Sequence, residues 1–403
     1  MNGVISSATL TALNLGWRVL GFVEGFKYLM KGESNHYIEL TVEMVSRIHQ
    51  KGGSIIKTSR ANPTGSKASL DNVKKVFAEL GVTHLITIGG DDTAFSSSTV
   101  AAHCGDLAVV HVPKTIDNDL PLPPHQPTFG FTTATEFGTE IVRALMEDSK
   151  TAPRWFIVEA MGRKAGHLAL SMGKASGSHL TLIPEEWKHR PVRFDEVCDL
   201  IWFTMLKRLA LGKNYGVVVM AEGLVEFMSA EELERVAGRA DINRDPHGHI
   251  RLDDFEFSRF VRDEIRNRAA KYDLGINVTD KKVGYELRCH DPVAFDIQYT
   301  RDLGHSAVEY LYKGGNGGLI LGDEVMSFED LRDPATGKTK VRLVDINSMT
   351  FKVARQYMTR LEVSDFTGQT PELVKVAGYM KMTPEDFTAK YQEIVELHHV
   401  AYI

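Results

Sequence analysis

Short β-branched runs recur along the chain, each followed by a turn and a longer stretch with apolar residues at helical spacing. The runs are Arg18 to Val23, Ser54 to Thr58, His84 to Ile88, Leu107 to Val112, Trp155 to Glu159 and Gly216 to Met220. Between them, Leu70 to Leu80 and Thr135 to Met146 carry apolar residues on one side and charges on the other, the pattern of crossover helices. Strands alternating with helices predict an α/β fold with parallel sheets and helices on both faces. Two such series predict two lobes, residues 1–140 and 141–310, with a mostly helical segment 311–403 packing across them. In open α/β sheets ligands sit beyond the carboxyl ends of the strands, so the residues just after each run carry the functional information.

Two stretches break the pattern. Gly3 to Ala12 reads as a helix, with apolar Val4, Ile5, Ala8 and Ala12, yet no strand precedes it. From about Leu311 the alternation loosens into a Gly314-Gly315-Asn316-Gly317-Gly318 turn, a short run Leu319 to Leu321, and helical segments.

Composition narrows the class. With 403 residues, 43% hydrophobic and 25% charged, the chain is globular and long enough for two or three domains. A net charge of -6 without a basic stripe argues against nucleic-acid binding. No apolar run approaches the ~18 residues of a membrane span, and the first residues lack a signal-peptide pattern, so a cytoplasmic location is expected. Cys104, Cys198 and Cys289 have neither disulfide-framework nor zinc-site spacing and read as reduced, structural residues.

The candidate chemistry lies at strand ends. His84-Leu-Ile-Thr-Ile-Gly89-Gly90-Asp91-Asp92-Thr93 ends a strand in two glycines and two acids at the start of a helix. Glycines admit a phosphate close to the backbone, and a helix N-terminus offers it unsatisfied N–H groups. Equally, Asp followed by Thr could simply cap the helix. One of the two carboxylates can hold Mg²⁺. The other would repel an anionic ligand unless it serves to exclude something.

Leu107-Ala-Val-Val-His-Val-Pro113-Lys114-Thr115-Ile116-Asp117-Asn118-Asp119 again runs from strand to loop, with a cation and two acids. Asp117 could act as a general base, Asp119 could assist a metal and Lys114 could neutralise phosphate charge. As an isolated string it also reads as a solvated turn. Two acid-rich loops after neighbouring strands favour metal-assisted phosphoryl transfer. A third string, Arg154-Trp-Phe-Ile-Val-Glu159-Ala-Met161-Gly162-Arg163-Lys164-Ala165-Gly166-His167, places Arg163 to meet phosphate, whereas His167 reads as a packing residue. Glu222-Gly223 and Gly284-Tyr285-Glu286-Leu287-Arg288 follow, a carboxylate for sugar hydroxyls and a Tyr-Arg pair for a phosphate.

In this order the five strings resemble the phosphofructokinase family, and the resemblance runs from Asn2 to at least Gly304. It implies two Rossmann-like lobes, a phosphoryl-donor lobe and a fructose 6-phosphate lobe. It further implies Mg²⁺ as cofactor, positioned by Asp91 with Asp119, and Asp117 as the base that takes the proton from the sugar's C1 hydroxyl. Thr115, Met161, Gly162, Arg163, Glu222, Tyr285 and Arg288 would bind fructose 6-phosphate. Gly89, Gly90, Asp92, Thr93 and Lys114 would hold the donor, and Arg60 would meet the transferred phosphate. Arg154 is similar to the family arginine that reaches the sugar phosphate of a neighbouring subunit, which implies a homodimer or higher homo-oligomer. ATP-dependent members usually carry Gly where this chain has Asp92 and Lys114, whereas pyrophosphate-dependent members carry Asp and Lys. A carboxylate at 92 takes the space and charge of a nucleotide's α-phosphate, so a two-phosphate donor fits and ATP does not. The implied activity is reversible phosphorylation of fructose 6-phosphate by pyrophosphate, in glycolysis or gluconeogenesis.

Against that family pattern, the first strand and a Gly-Gly-x-x-x-Gly loop are missing before Asn2. Either the start lies at an internal Met of a longer protein, the expectation here, or part of the donor site is lacking and pyrophosphate binds weakly. Two readings compete with the pyrophosphate enzyme: an ATP-dependent phosphofructokinase, opposed by Asp92 and Lys114, and a non-catalytic regulatory subunit, opposed by Asp91, Asp117 and Asp119. A dinucleotide-dependent dehydrogenase lacks its Gly-x-Gly-x-x-Gly helix start.

Overall fold

In the computed structural model, the described residues are 1–188, 190–238, 255–335 and 339–400. The strands are β1 Leu20–Phe22, β2 Tyr37–Glu39, β3 His84–Gly89, β4 Ala108–Thr115, β5 Phe129–Gly130, β6 Trp155–Ala160, β7 Leu180–Leu182, β8 Gly216–Ala221, β9 Val278–Val283, β10 Gly318–Ile320 and β11 Val325–Ser327. They belong to two compact units of interleaved chain. Unit 1 is Met1–Ala134 with Tyr285–Arg342; unit 2 is Thr135–Gly284 with Leu343–Ile403. The region read from sequence as one C-terminal segment from 311 is thus shared between them.

Unit 1 holds a sheet of order β11-β10-β4-β3, with β5 pairing the end of β4. β3, β4 and β10 run parallel, and β11 folds back antiparallel on β10. β4 is central, and its Val109, Val110 and Val112 are fully buried between helix layers. On one side the helix Asn2–Asn14 packs against the helix Ala294–Tyr312, closing a core of Val4, Val110, Val112, Phe129, Leu303 and Ile320. The helix Lys67–Leu80 is fixed at both ends by its own sequence. Ser66 Oγ accepts from the Ser69 amide at the start, and Gly81 adopts the left-handed conformation at the end.

Two of the predicted runs do not enter this sheet. Leu20–Phe22 pairs antiparallel with Tyr37–Glu39 in a separate two-stranded ribbon. Ser54 to Thr58 forms no strand: Ile55 and Ile56 pack beside Leu40 and Val45 as anchors of a loop, and the Ile55 amide donates to Asn2 Oδ1 at 2.9 Å.

Unit 2 is built on a parallel sheet of order β7-β8-β6-β9. Every residue of β6 and β8 is buried, which is why both read as unbroken apolar runs rather than alternating ones. β9 does not read as a strand because in Val-Thr-Asp-Lys-Lys-Val, at a sheet edge, only the two terminal valines are buried and the polar residues between them are exposed or half-buried. The helices Phe194–Ala210 and Phe257–Tyr272 cover the sheet, and residues from beyond Leu343, among them Leu361, Phe366, Leu373 and Phe387, complete its core. Among the described residues no helix is long and apolar enough to cross a membrane.

Candidate active site

In unit 1 the register of β3 against β4 sets Gly89 opposite Pro113, so the loops that leave the two strands emerge side by side at one sheet edge. The first loop enters the helix Asp91–His103 with Gly90 as N-cap and both Asp91 and Asp92 in the opening turn. Acidic side chains there complement the helix dipole, so the pair helps the fold as well as any chemistry. Asp92 is exposed and Asp91 half-buried.

A buried network supports that turn from below. His111 of β4 is completely buried; its Nε2–H donates to the Gly89 carbonyl at 3.0 Å, which leaves Nδ1 to accept from Thr87 Oγ1 at 2.8 Å. Burial lowers its pKa from the usual 6.5 to about 4, and the hydrogen bond to Gly89 only partly opposes this. The unfolded chain therefore binds the proton near pH 6.5 while the folded one does not. The contribution to stability is complete above that pH and is lost as pH falls toward 4. Between pH 7 and pH 5 the gap in unfolding free energy between wild type and His111→Asn, read from urea titrations, should narrow by roughly 2 kcal/mol. A gap independent of pH would mean that His111 is not held neutral by burial.

The second loop is more constrained. The Asp117 amide donates to Thr115 Oγ1 at 3.0 Å, the Thr115 carbonyl accepts from Thr128 Oγ1 at 2.8 Å, and the Thr128 amide donates to Asn118 Oδ1 at 3.0 Å. Asn118 has φ 56°, a left-handed turn that aims the flanking Asp117 and Asp119 differently. Asp119 is 9% exposed and Asp117 half-buried. Burial lowers the Lys114 pKa, the nearby Arg288 guanidinium lowers it further, and Asp117 pulls it back up. Lys114, Asp117 and Arg288 thus share one electrostatic neighbourhood. Tyr285 and Arg288, read from sequence with the sugar lobe, belong to unit 1, where the Arg288 guanidinium lies 5.7 Å from the Tyr285 ring centre. Arg60 is exposed in the loop before the short turn Pro63–Gly65.

In unit 2 the sequence-predicted residues converge at the carboxyl ends of β6 and β8. Gly162, with φ 126°, makes a turn open only to glycine; its amide donates to Glu222 Oε1 at 3.0 Å, and its carbonyl accepts from the Gly223 amide at 3.1 Å. A Cβ on Gly223 would lie 2.5 Å from the Arg163 carbonyl oxygen. Met161 is tied to β9 through its amide and the Val283 carbonyl at 3.1 Å. Arg163 Nε lies 3.5 Å from Glu226 Oε1, a partner that sequence reading did not find although it stands one helical turn beyond Glu222. Arg154, just before β6, donates through Nε to the Ala152 carbonyl at 3.2 Å and lies 3.7 Å from Asp148. His167 opens the helix His167–Ser176.

Chemically, unit 1 offers carboxylates, an ammonium and a helix N-terminus on one edge, as a phosphoryl donor with a metal ion requires. Among the described residues no group of three or more His, Cys, Asp or Glu forms a metal cage. Asp91 and the 9%-exposed Asp119 are carboxylates of the kind and number that Mg²⁺ takes, its shell being completed by phosphate oxygens and water. Unit 2 offers a carboxylate and a guanidinium around a glycine turn, as a sugar phosphate requires. Residues 1–311 match the phosphofructokinase family. The chain belongs to that family.

The chain is 51% identical to a pyrophosphate–fructose 6-phosphate 1-phosphotransferase of Naegleria fowleri, over 98% of this chain and 93% of that one. It is 47% identical to one of Thermotoga maritima, over 98% and 96% respectively. The crystal structure of a pyrophosphate-dependent phosphofructokinase from Marinobacter aquaeolei shares the fold with a TM-score of 0.62 at 17% identity, covering 90% of this chain and 88% of that one. As a phosphofructokinase, the chain has the α/β architecture of parallel sheets expected from its strings, and it is a phosphotransferase.

Proposed function

We propose that this phosphofructokinase transfers a phosphoryl group from pyrophosphate to the C1 hydroxyl of fructose 6-phosphate, reversibly, giving fructose 1,6-bisphosphate and orthophosphate. The observation that carries the reading is the pairing, off adjacent parallel strands, of Asp91-Asp92 with a loop in which Lys114 and Asp117 share one electrostatic neighbourhood. The names of the two near-full-length relatives support the same donor and acceptor.

Asp117 takes the proton as the C1 oxygen attacks the terminal phosphorus; the bridging P–O bond breaks and orthophosphate leaves with the electron pair. Lys114 neutralises charge on the transferring and departing phosphates, and Arg60 approaches the transferred group. Asp91 and Asp119 would hold Mg²⁺, which supplies charge neutralisation across the two phosphates when bound. Gly89, Gly90 and Thr93 line the donor's approach. Glu222 accepts sugar hydroxyls, and Thr115, Met161, Gly162, Arg163, Tyr285 and Arg288 hold the rest of fructose 6-phosphate. Arg154 serves a neighbouring subunit's sugar phosphate, so the working form is a homo-oligomer placed in glycolysis or gluconeogenesis.

Asp92 sets the donor. Because it is exposed at the helix start and its removal disturbs no core contact, Asp92→Gly should still fold, losing only its favourable interaction with the helix dipole. The assay compares product formation with Mg²⁺ and either pyrophosphate or ATP. Wild type should use pyrophosphate alone, and Asp92→Gly should gain measurable ATP binding. Equal use of ATP by wild type would discard the pyrophosphate reading, and no gain in the variant would move donor choice to other residues.

A further inference from the structure

The loop that carries Asp117 and Asp119 holds part of itself, through Thr115, Asn118 and Thr128 and through the Leu122 and Gln126 amides, which donate to the Leu120 and Pro123 carbonyls at 2.7 and 2.9 Å. From Asp117 to Thr128 it also contains Pro121, Pro123, Pro124 and Pro127, none of which has an amide hydrogen, so other carbonyls of the loop must find donors outside it. Arg342 supplies them. Its Nε donates to the Asn118 carbonyl at 3.1 Å, and its Nη1 faces the carbonyls of Leu122, Pro123 and Gln126 at 3.3, 3.2 and 2.9 Å. Nη2 donates to Asn118 Oδ1, and the Arg342 amide donates to the Asp119 carbonyl at 2.8 Å. One side chain thus spans the loop from its left-handed residue to its last turn.

The position of Arg342 is itself fixed by the fold. β10 adds to the sheet beside β4, the strand that feeds the loop, and β11 returns along β10. The Lys340 amide then donates to the Leu331 carbonyl at 2.8 Å, which sets the chain two residues before Arg342. All of this lies after residue 311, where the family match ends.

We propose that Arg342 is a positioning residue for phosphoryl transfer: it holds the Asp117–Asp119 loop in its reactive conformation from a place in the chain beyond residues 1–311. The proposal rests on the reading of Asp117 as the base. Only a guanidinium fits the role, because its planar fork carries five N–H donors at fixed angles, whereas a lysine ammonium has three on a flexible stem. Burial lowers the Arg342 pKa and Asp119 raises it, so a cation in this place is held by the loop it organises.

The test is the turnover of Arg342→Lys and Arg342→Gln, alone and combined with Asp117→Ala, with thermal unfolding and fructose 6-phosphate affinity measured on each. Arg342→Lys should lose roughly 10²-fold in turnover, the scale of a misplacement of about 1 Å in a reacting group. Fructose 6-phosphate affinity should change by less than about threefold, because Met161 to Arg163 and Glu222 keep their own hydrogen bonds in unit 2. In the Asp117→Ala background the same substitution should cost almost nothing further, since residues acting as one unit are not additive. Turnover near wild type in both Arg342 variants would overturn the proposal. So would an undiminished loss on top of Asp117→Ala, which marks a general structural defect. Asp117→Ala alone, if it kept near-normal turnover, would remove the base assignment and with it the proposed means by which Arg342 acts.

Discussion

Replacing Asp117 with alanine should lower turnover by about 10² to 10⁴-fold, the usual contribution of a positioned general base, while leaving the fold intact. The fold should survive because the loop keeps the hydrogen bonds made by Thr115, Asn118, Thr128 and Arg342. The measurement is steady-state turnover with saturating pyrophosphate and fructose 6-phosphate, beside a thermal unfolding curve. The loss should appear in kcat and in kcat/KM alike, because deprotonation of the sugar hydroxyl matters only in the transition state. A variant with near-normal turnover would remove Asp117 from the mechanism. A variant that loses activity together with its folding transition would say nothing for a chemical role and would count against this reading of the loop.

Gly223→Ala should be as damaging by another route. The new methyl carbon would stand 2.5 Å from the Arg163 carbonyl oxygen and 2.9 Å from that of Gly162, and both are backbone atoms that cannot rotate away. The turn Met161 to Arg163 must then move off Glu222. That breaks the hydrogen bonds joining Gly162 to Glu222 and to Gly223. Overpacking of this kind costs about 1–3 kcal/mol in stability. The larger effect is on fructose 6-phosphate, for which kcat/KM should fall by roughly 10²-fold, most of it through KM. Calorimetric titration with fructose 6-phosphate would check the binding directly. An affinity within a few-fold of wild type would mean that this turn does not hold the sugar phosphate.

The residues these experiments touch were visible in the sequence to different degrees. His84 to Ile88, Leu107 to Val112, Trp155 to Glu159 and Gly216 to Met220 all became parallel strands, because strands covered on both faces must be apolar throughout. The same rule makes the residues just after them stand out as candidates, so Asp91, Asp117, Arg163 and Glu222 are singled out by their place after a strand, while the roles proposed for them come from the five strings taken together. Ile55 and Ile56 misled for the converse reason: two apolar residues anchoring a loop look locally like the centre of a strand. β9 is hidden by its three charged residues, of which Lys281 is exposed while Asp280 and Lys282 are half-buried. Glu226, His111 and Arg342 carry no local signal. Their roles depend on a partner brought near by the chain path, and for Arg342 that partner lies 224 residues away. The division of the chain after residue 311 is invisible for the same reason, since it depends on which sheet each part packs against.

That interleaving has a consequence for the order in which the protein is made. A ribosome delivers the chain from the N-terminus, and compact units generally fold as they become complete. Unit 2's sheet is finished once β9 has emerged, but unit 1 still waits for the helix Ala294–Tyr312 that covers Asn2–Asn14, and for β10 beside β4. Its first 134 residues therefore wait until β10 emerges with a central strand unpaired on one side and an apolar helix face uncovered. Nascent chains stalled before residue 294 should accordingly be the form most in need of chaperones, and the reacting loop is whole only once Arg342 has been made, long after its own residues.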